Sequence, residues 1–279
     1  MKIFTTKIQV RQYAQQLHAD GKRIGFVPTM GALHLGHLSL IEQARSQCDI
    51  VISSIFVNPT QFTDPKDLDR YPRPIEADID KLEKAGCDAL FNPKVSEMYA
   101  GNEKWHLDIG ELEYLLEGAS RPGHYQGVMQ VVNKLFDIVQ PDVAFFGQKD
   151  YQQFLVISKM VELLNIPVNL VMCPIERETD GLAMSSRNVH LSPDDYRHAL
   201  VLSRTLQHVK NNFNRNNMPF LKAEAFKALS EEPGVKADYF EFADGDTLLP
   251  ANQNSPTIVA LVAAKVGNTR LIDNMIVSR

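Results

Sequence analysis

An almost unbroken run of β-branched and apolar residues at positions 50–57 (IVISSIFV) most constrains the fold of this chain. A strand with one solvent-exposed face would alternate apolar and polar residues. A continuous apolar run therefore predicts a strand that is buried on both faces, as in a parallel sheet covered by helices. Shorter runs of this kind recur at 24–28, 88–92, 142–146 and 167–173. Segments with apolar residues at helical spacing lie between them, at 35–48, 75–85, 127–139 and 151–164. This alternation predicts an α/β fold, a Rossmann-like, doubly wound parallel sheet.

The composition changes near residue 176, where the alternation ends. Residues 176–188 are polar and contain a glycine, which indicates an exposed connection. Ser192-Pro193-Asp194-Asp195 predicts a helix start, because serine is a favoured N-cap and proline suits the first helical position. We therefore expect a Rossmann-like domain over 1–176 and a smaller C-terminal α+β domain over 177–279.

The C-terminal domain is expected to contain both helices and strands. Helical segments are predicted near 193–211 and 219–230. Strands are predicted at 257–266 and 269–277, with Gly267-Asn268 as the turn between them.

Composition excludes several classes of protein. Of the 279 residues, 44% are hydrophobic and 23% are charged, as in an ordinary globular chain rather than a disordered or fibrous one. The net charge is −5 and no block of lysine and arginine stands out, so we expect no nucleic-acid partner. No run approaches the ~20 apolar residues of a membrane span, and the N-terminus lacks the apolar stretch of a signal peptide. We expect a cytoplasmic protein that does not bind membranes.

The three cysteines, Cys48, Cys87 and Cys173, are far apart and form no C-x-x-C pair. We interpret them as core residues or inert thiols rather than as a disulfide or a zinc site, because neither spacing pattern is present.

The segment from Pro28 to His37 (PTMGALHLGH) carries the strongest chemical signal. It joins the first predicted strand to the first predicted helix, where backbone N–H groups and the helix dipole favour an anion. His34 and His37 are three apart and share one side of the first turn, and Gly36 lets a phosphate approach the backbone. Two imidazoles here suit the charge that develops on a departing pyrophosphate. The alternatives are a pair of structural histidines or, less well supported without H-E-x-x-H, a zinc site.

H-x-G-H after a first strand resembles the nucleotidyltransferase superfamily, which includes class I aminoacyl-tRNA synthetases and several adenylyltransferases. Those proteins usually carry a second loop, basic and hydroxyl-bearing, late in the sheet. Met184-Ser185-Ser186-Arg187 occupies that place here. Hydroxyl groups and a guanidinium can bind a triphosphate. Without the first motif, this stretch would be interpreted as a polar linker.

Four further stretches narrow this resemblance: 56–62 (FVNPTQF), 120–125 (SRPGHY), 146–153 (FGQKDYQQ) and 180–187 (DGLAMSSR). With PTMGALHLGH, in this order and spacing, they resemble the pantoate–β-alanine ligase family, the pantothenate synthetases. The resemblance covers the whole chain and is densest from residue 26 to 190. It includes TRLIDNMIV at 269–277.

The resemblance implies roles for individual residues. The implied ATP-binding positions are Met30, Gly31, Ala32, Leu33, His34, Leu35, Gly36, His37, Gly147, Gln148, Lys149, Asp150, Glu176, Met184, Ser185, Ser186 and Arg187. The implied pantoate-binding positions are Asn58, Gln61, Tyr71, Arg121 and Gln153, and Gln61 also binds β-alanine. The implied catalytic residues are His34, His37, Lys149, Ser186 and Arg187. Without the resemblance, either glutamine could be an ordinary solvated residue and the segment 147–150 a solvated turn.

The implied activity is ATP-dependent ligation of pantoate to β-alanine through a pantoyl adenylate, releasing AMP and diphosphate. ATP enters with Mg²⁺, and no residue is assigned to the metal. Water would destroy the adenylate, so the smaller domain is expected to act as a closing lid. The family is typically homodimeric, so we expect a homodimer.

Two other functions remain open at this point. An adenylyltransferase that moves AMP onto a phosphate would share H-x-G-H, but it would need extra cations for its acceptor, whereas Asn58 and Gln61 are neutral. A nucleotide sensor would use the same fold without releasing pyrophosphate.

Overall fold

The chain forms two compact units. The structure, a computed structural model, describes residues 1–99, 101 and 103–278. The N-terminal unit comprises Met1–Gly147 and Gln153–Pro174, and the C-terminal unit comprises Gln148–Gln152 and Ile175–Arg279. The short segment Gln148–Gln152 thus interrupts the N-terminal unit in sequence. The domain boundary expected between residues 176 and 177 stays a prediction, and residue 279 lies outside the described residues.

A six-stranded sheet forms the middle of the N-terminal unit. Its strands are β1 (Lys2–Phe4), β2 (Ile24–Thr29), β3 (Ile50–Ile55), β4 (Ala89–Phe91), β5 (Val143–Gly147) and β6 (Asn169–Cys173). They lie in the order β1-β4-β3-β2-β5-β6, and every neighbouring pair is parallel. The predicted doubly wound parallel sheet is therefore confirmed. Strand β1 was not predicted, because three residues are too few to show a period.

Helices cover both faces of this sheet. They are α1 (Lys7–Ala19), α2 (Leu35–Arg45), α3 (Pro65–Arg70), α4 (Ile75–Lys84), α5 (Val95–Met98), α6 (Leu116–Ser120), α7 (His124–Val139) and α8 (Tyr151–Leu164). Along β5, Val143 and Phe145 pack in the cluster that includes α2, whereas Ala144 and Phe146 pack in the cluster that includes α1 and α7. Burial on both faces explains why the strands are continuously apolar.

The strand order reverses beside β2. From β2 the chain adds β3 and β4 on one side, and then returns to place β5 and β6 on the other. Ligands of open α/β sheets bind at the carboxyl ends of strands at such a switch point. The carboxyl end of β2 leads into Met30–His37, and that of β5 is Gly147. The fold therefore positions two predicted segments at a typical ligand-binding edge.

The C-terminal unit packs two helices on an antiparallel sheet. Its elements are α9 (Pro193–Asn212), α10 (Met218–Glu231), β7 (Val235–Asp244), β8 (Ile258–Val266) and β9 (Thr269–Ser278), with the strands in the order β7-β8-β9. The Ser192 side chain accepts a hydrogen bond from the Asp195 amide, so the predicted helix start is confirmed. Strand β7 was not predicted, although its burial alternates at first.

Candidate functional site

The loop between β2 and α2 is held by a buried carboxylate. Asp78, on α4, is 1% exposed. It accepts the Ala32 amide on Oδ2 at 2.7 Å and the Leu33 amide on Oδ1 at 2.8 Å. Gly31 has a φ of +81°, and a Cβ there would lie 3.0 Å from Asp78 Oδ2. The loop therefore needs glycine at position 31 both for its backbone angle and for the approach of Asp78.

Other backbone amides of the same loop also donate within the protein. The Gly31 amide donates to Thr29 Oγ1 at 3.2 Å, and the His34 amide donates to His37 Nδ1 at 3.3 Å. The amides of residues 31 to 34 are thus engaged within the protein, and the expectation that this junction favours an anion stays a prediction. In the first helical turn, the amides of Leu35 and Gly36 lack intrahelical acceptors by helix geometry.

The two histidines lie together, as predicted. Their ring centroids are 4.0 Å apart, with His34 at the N-cap of α2 and His37 three positions on. The loop carbonyl beside them is also held, because Lys81 Nζ donates to Leu33 O at 2.6 Å. Asp78 and Lys81 were not predicted from the sequence. Their spacing on α4 resembles any exposed helical pair, and nothing local relates α4 to the loop.

Asn58 and Gln61 lie beyond the end of β3 and form one buried network. Asn58 Oδ1 accepts from the Thr60 amide at 3.4 Å, from Thr60 Oγ1 at 3.0 Å and from Tyr99 Oη at 2.6 Å. Asn58 Nδ2 donates to Gln61 Oε1 at 3.0 Å and to Gly127 O at 3.1 Å. Asn58 is 1% exposed and Gln61 7%.

This network fixes the orientation of both side-chain amides. A backbone N–H can only donate and a backbone carbonyl can only accept. The Asn58 side chain must therefore direct its oxygen at Thr60 N and its nitrogen at Gly127 O. Asn58 then donates to Gln61 through Nδ2, and Gln61 must accept this hydrogen bond on Oε1. The Nε2 end of Gln61 is therefore the one that can donate to a ligand. Burial raises the pKa of Tyr99, so its hydroxyl remains a donor.

Arg121 is joined to this network through His124. Arg121 NH1 lies 3.1 Å from His124 Nε2, and His124 Nδ1 lies 2.7 Å from Gln61 O. A guanidinium only donates and a carbonyl only accepts, so Nε2 accepts and Nδ1 donates. The structure thus brings predicted residues Arg121 and Gln61 together through a histidine that sequence reasoning missed.

The other two predicted pantoate residues lie on different elements. Tyr71, which follows α3, packs edge-on against Phe62 with ring centroids 5.8 Å apart. Gln153 lies in the first turn of α8 and is half-buried.

A cavity of about 280 Å³ opens at the carboxyl ends of the strands of the N-terminal unit. Met30 and Gly31 line it from the loop after β2, and Ile55, Phe56 and Val57 line it from the end of β3. It is large enough for a small organic acid and lies where ligands of this fold class bind.

In the C-terminal unit, the predicted segment Gln148–Asp150 forms a 3-10 turn attached to β9. Asn274, on β9 and 2% exposed, donates through Nδ2 to Gln148 O and to Lys149 O, both at 2.9 Å. Gln148 Nε2 returns a hydrogen bond to Asn274 Oδ1 at 3.0 Å. Lys149 Nζ lies 3.8 Å from Asp150 Oδ1, and the lysine side chain is 18% exposed.

The segment from Glu176 to Met184 is also attached to β9. Its ends are joined by the Met184 amide, which donates to Glu176 O at 3.0 Å. Within it, Arg177 makes a bidentate ion pair with buried Asp273 at 2.7 and 3.0 Å, and donates to Gly181 O at 3.0 Å. Burial raises the pKa of Asp273, and the Arg177 guanidinium opposes that rise.

Ser185 to Arg187 follow directly. The Ser185 side chain accepts the Arg187 amide at 3.2 Å and caps a 3-10 turn over Ser186–His190. The side chains of Ser186 and Arg187 are half-buried. Within the C-terminal unit, adjacent residues of one strand therefore hold the segment Gln148–Asp150 and the loop that leads into Ser185–Arg187.

The described residues contain neither a metal-binding cluster nor a membrane-spanning helix. Among them, no three His, Cys, Asp or Glu side chains converge on a point that could hold a metal. No helix in this part of the chain is long and apolar enough to cross a membrane. Burial raises the pKa of Cys87 to about 12 and that of Cys173 to about 11, which makes both poor nucleophiles at neutral pH.

Comparison with known proteins gives a consistent result. The family model described as pantoate-beta-alanine ligase matches residues 2–276. A pantothenate synthetase of Thermotoga petrophila is 48% identical over 278 residues, covering 99% of each chain.

Two solved structures extend this likeness to three dimensions. The crystal structure of pantothenate synthetase from Thermus thermophilus superposes with a TM-score of 0.94 at 42% identity, covering 100% of both chains. That of pantoate-beta-alanine ligase from Francisella tularensis, complexed with beta-gamma ATP and beta-alanine, has a TM-score of 0.82 at 36% identity. It covers 99% of this chain and 97% of its own.

Proposed function

Because this chain belongs to the pantoate–β-alanine ligase family, we propose that it condenses pantoate with β-alanine through a pantoyl adenylate. ATP is consumed and AMP and diphosphate are released. The observation that best supports the chemistry is the paired histidine rings, 4.0 Å apart, on a loop fixed by a buried carboxylate. This arrangement is preorganised to stabilise charge on a leaving phosphate group.

In the first step, a pantoate carboxylate oxygen attacks the α-phosphorus of ATP, and the bond to the bridging oxygen of diphosphate breaks. His34 and His37 of the N-terminal unit donate to the departing charge. Lys149, Ser186 and Arg187 of the C-terminal unit bind the triphosphate as cations and hydroxyl donors. The step needs little proton transfer, so positioning and electrostatics account for most of the acceleration.

Mg²⁺ enters as part of the nucleotide substrate. It is usually bound through substrate phosphates and waters together with one or two carboxylates, rather than by an all-protein cage. A Mg–ATP complex therefore needs no resident cluster of ligands, and the bound ion neutralises charge on the phosphates.

In the second step, the amine of β-alanine attacks the acyl carbon of the adenylate and AMP leaves. We propose that Gln61 donates through Nε2 to an oxygen of pantoate, and that Asn58 serves the pantoate site by orienting Gln61. Arg121 is proposed to help hold Gln61 in place through His124, which donates to the Gln61 carbonyl. These amides are neutral, which suits a hydroxy acid better than the phosphate acceptor of an adenylyltransferase.

A pre-steady-state experiment tests the two-step route. ATP and pantoate without β-alanine should release a burst of diphosphate approaching one equivalent per site, because the adenylate lacks a nucleophile once water is excluded. Oxygen label on the pantoate carboxylate should appear in AMP after β-alanine is added. Label in inorganic phosphate, with ADP as the nucleotide product, would contradict the adenylate route.

Three broader expectations are proposals of the same kind. The C-terminal unit is proposed to close as a lid during the reaction, the chain to form a homodimer, and the protein to be cytoplasmic. Free rather than disulfide-bonded cysteines agree with a reducing compartment. Light scattering on the purified protein tests the homodimer by measuring its mass in solution. A monomer mass at micromolar concentration would contradict the proposal.

A further inference from the structure

The segment TRLIDNMIV near the C-terminus has no role in either step of the proposed reaction. Two of its residues, Asp273 and Asn274, are polar yet only 3% and 2% exposed. Buried polar groups are normally retained where their hydrogen bonds are satisfied and specific. The partners of Asn274 lie in the first segment proposed to bind the triphosphate, and the partner of Asp273, Arg177, lies in the loop that leads into the second.

We propose that Asp273 and Asn274 are positioning residues that fix Lys149 and the Ser185–Arg187 turn to strand β9 as one rigid body. This inference rests on the proposed function, because it assumes that both segments bind ATP. Neither residue is proposed to contact the nucleotide.

Asn274 fixes the first segment through its main chain. Its Nδ2 donates to two consecutive carbonyls, Gln148 O and Lys149 O, and its Oδ1 accepts from Gln148 Nε2. Because both carbonyls point at Asn274, neither is directed at a bound phosphate, which a carbonyl oxygen would repel. The Lys149 side chain is thereby carried on a peptide segment held at two points.

Asp273 fixes the second segment through Arg177. The bidentate geometry of the pair orients the guanidinium, which in turn donates to Gly181 O at 3.0 Å. Gly181 has a φ of +98°, and Arg177 and Ala183 form an antiparallel bridge across the loop. The loop that ends in Met184 is thus closed by main-chain pairing, and its Gly181 carbonyl accepts from a side chain that is paired with β9.

One strand can serve both segments because successive side chains of a strand point to opposite faces. Asp273 pairs with Val262 and Asn274 with Leu261 in the β8–β9 ladder. The two residues therefore share a rigid backbone, and a displacement of β9 moves both segments together.

A purely structural role makes a different prediction from a positioning role. Residues that only stabilise the fold lower the unfolding temperature and the active fraction, but leave the KM values of the folded enzyme unchanged. Residues that position the triphosphate-binding segments change the interaction with ATP and leave that with pantoate unchanged, because Gln61 belongs to the N-terminal unit.

The experiment compares Asn274→Leu and Asn274→Asp, which are similar in size to asparagine, with Asn254→Leu at an exposed position of the same unit. We expect both Asn274 variants to raise the KM for ATP and the Kd of a non-hydrolysable ATP analogue about tenfold, because both lose the two hydrogen bonds that Nδ2 donates. The Kd of pantoate should stay within about twofold, as for the control. Folded Asn274 variants with an unchanged Kd for the analogue would overturn the proposal.

A milder variant keeps the proposal testable if the Asn274 variants fail to fold. Arg177→Lys retains the charge but loses the bidentate pair with Asp273, and it should weaken binding of the analogue about threefold. Where Asn274→Leu does fold, its effect and that of Arg177→Lys should be non-additive in the double variant, since both residues act on one rigid body. Simple additivity would contradict the coupling of the two segments.

Failure of the proposed function gives a different result. The wild-type protein must form pantothenate from ATP, pantoate and β-alanine in the same buffer. A wild type that binds the ATP analogue but forms no pantothenate contradicts the reaction, whereas the positioning of the two segments is still decided by the binding measurements.

Discussion

The two units hold the segments proposed to bind phosphate with opposite chemistry. In the N-terminal unit, buried Asp78 accepts from two consecutive backbone amides, those of Ala32 and Leu33. In the C-terminal unit, buried Asn274 donates to two consecutive backbone carbonyls, those of Gln148 and Lys149. An accepting side chain engages backbone N–H groups, whereas a donating side chain engages backbone carbonyls. Whether the side chain that holds a segment donates or accepts therefore determines which backbone groups remain for a ligand. In the first loop the amides of residues 31 to 34 are engaged within the protein, which leaves the histidine side chains and the first amides of α2 for an anion. In the second segment the carbonyls of Gln148 and Lys149 point at Asn274.

The strongest test of this difference is His37→Ala. If imidazoles rather than loop amides meet the leaving phosphate, turnover should fall about 10²–10³-fold, as for loss of one preorganised donor. The control is His37→Asn, which keeps an acceptor near the position of Nδ1 for the His34 amide. Steady-state rates should be low for both variants, and near-wild-type turnover of His37→Asn would reduce His37 to a cap for the loop.

The second largest effect is expected for Gln61→Leu. This variant tests a proposed site in which one side chain, Asn58, orients another. The change keeps the volume and removes the donor that Asn58 orients, so pantoate should bind about tenfold more weakly or worse. Calorimetric titration of pantoate measures this, with Gln43→Leu at an exposed position as the control. Unchanged affinity would remove Gln61 from the pantoate site, whereas ATP affinity should be unaffected.

A smaller effect on activity, but a clear one on stability, is expected for Asp78→Asn. Its NH₂ group would face one of the two amides that the carboxylate accepts, so the free energy of unfolding should fall by about 1–3 kcal/mol. Urea denaturation measures the change. Asp80→Asn is the matched control on the same helix, because Asp80 is exposed and pairs with Lys84 at the surface. Equal losses in both variants would show that the loop amides do not depend on Asp78.

The smallest effect is expected for Lys81→Met. Lys81 donates to Leu33 O, the carbonyl side of the loop that Asp78 holds by its amides, but its side chain is 41% exposed. Unfolding free energy should fall by about 0.5–1 kcal/mol, since a partly hydrated hydrogen bond contributes little net stability. A loss as large as that of Asp78→Asn would mean that the carbonyl side matters equally, and the contrast between the two units would weaken.

Much of the fold was predictable because its signals are local. The continuous run that became β3 and the Ser192 cap of α9 each depend on neighbours in sequence. Helix α1 also has a local signal, because Val10, Ala14 and Leu17 lie at helical spacing.

The supports of the candidate site were not predictable, since they depend on distant pairs. Asp78 and Leu33 are 45 positions apart, and Asn274 and Gln148 are 126 apart. The pattern around Asn58 and Gln61 indicated polar chemistry at the end of β3. It could not show that every polar atom of the Asn58 side chain faces the protein, because that depends on Tyr99 and Gly127. Sequence therefore identified candidate ligand-facing groups more readily than the groups that orient them.

The interleaving of the two units has a consequence for dissecting the molecule. Gln148–Gln152 belongs to the C-terminal unit but is encoded inside the N-terminal one, so the polypeptide passes between units three times. No single break in the chain, whether by a protease or by truncation of the gene, releases either unit whole. A fragment starting at Ile175 would carry Asn274 without the peptide carbonyls it binds, and would expose a surface built for a segment it no longer has. Neither unit can therefore be obtained whole as one continuous fragment of the chain.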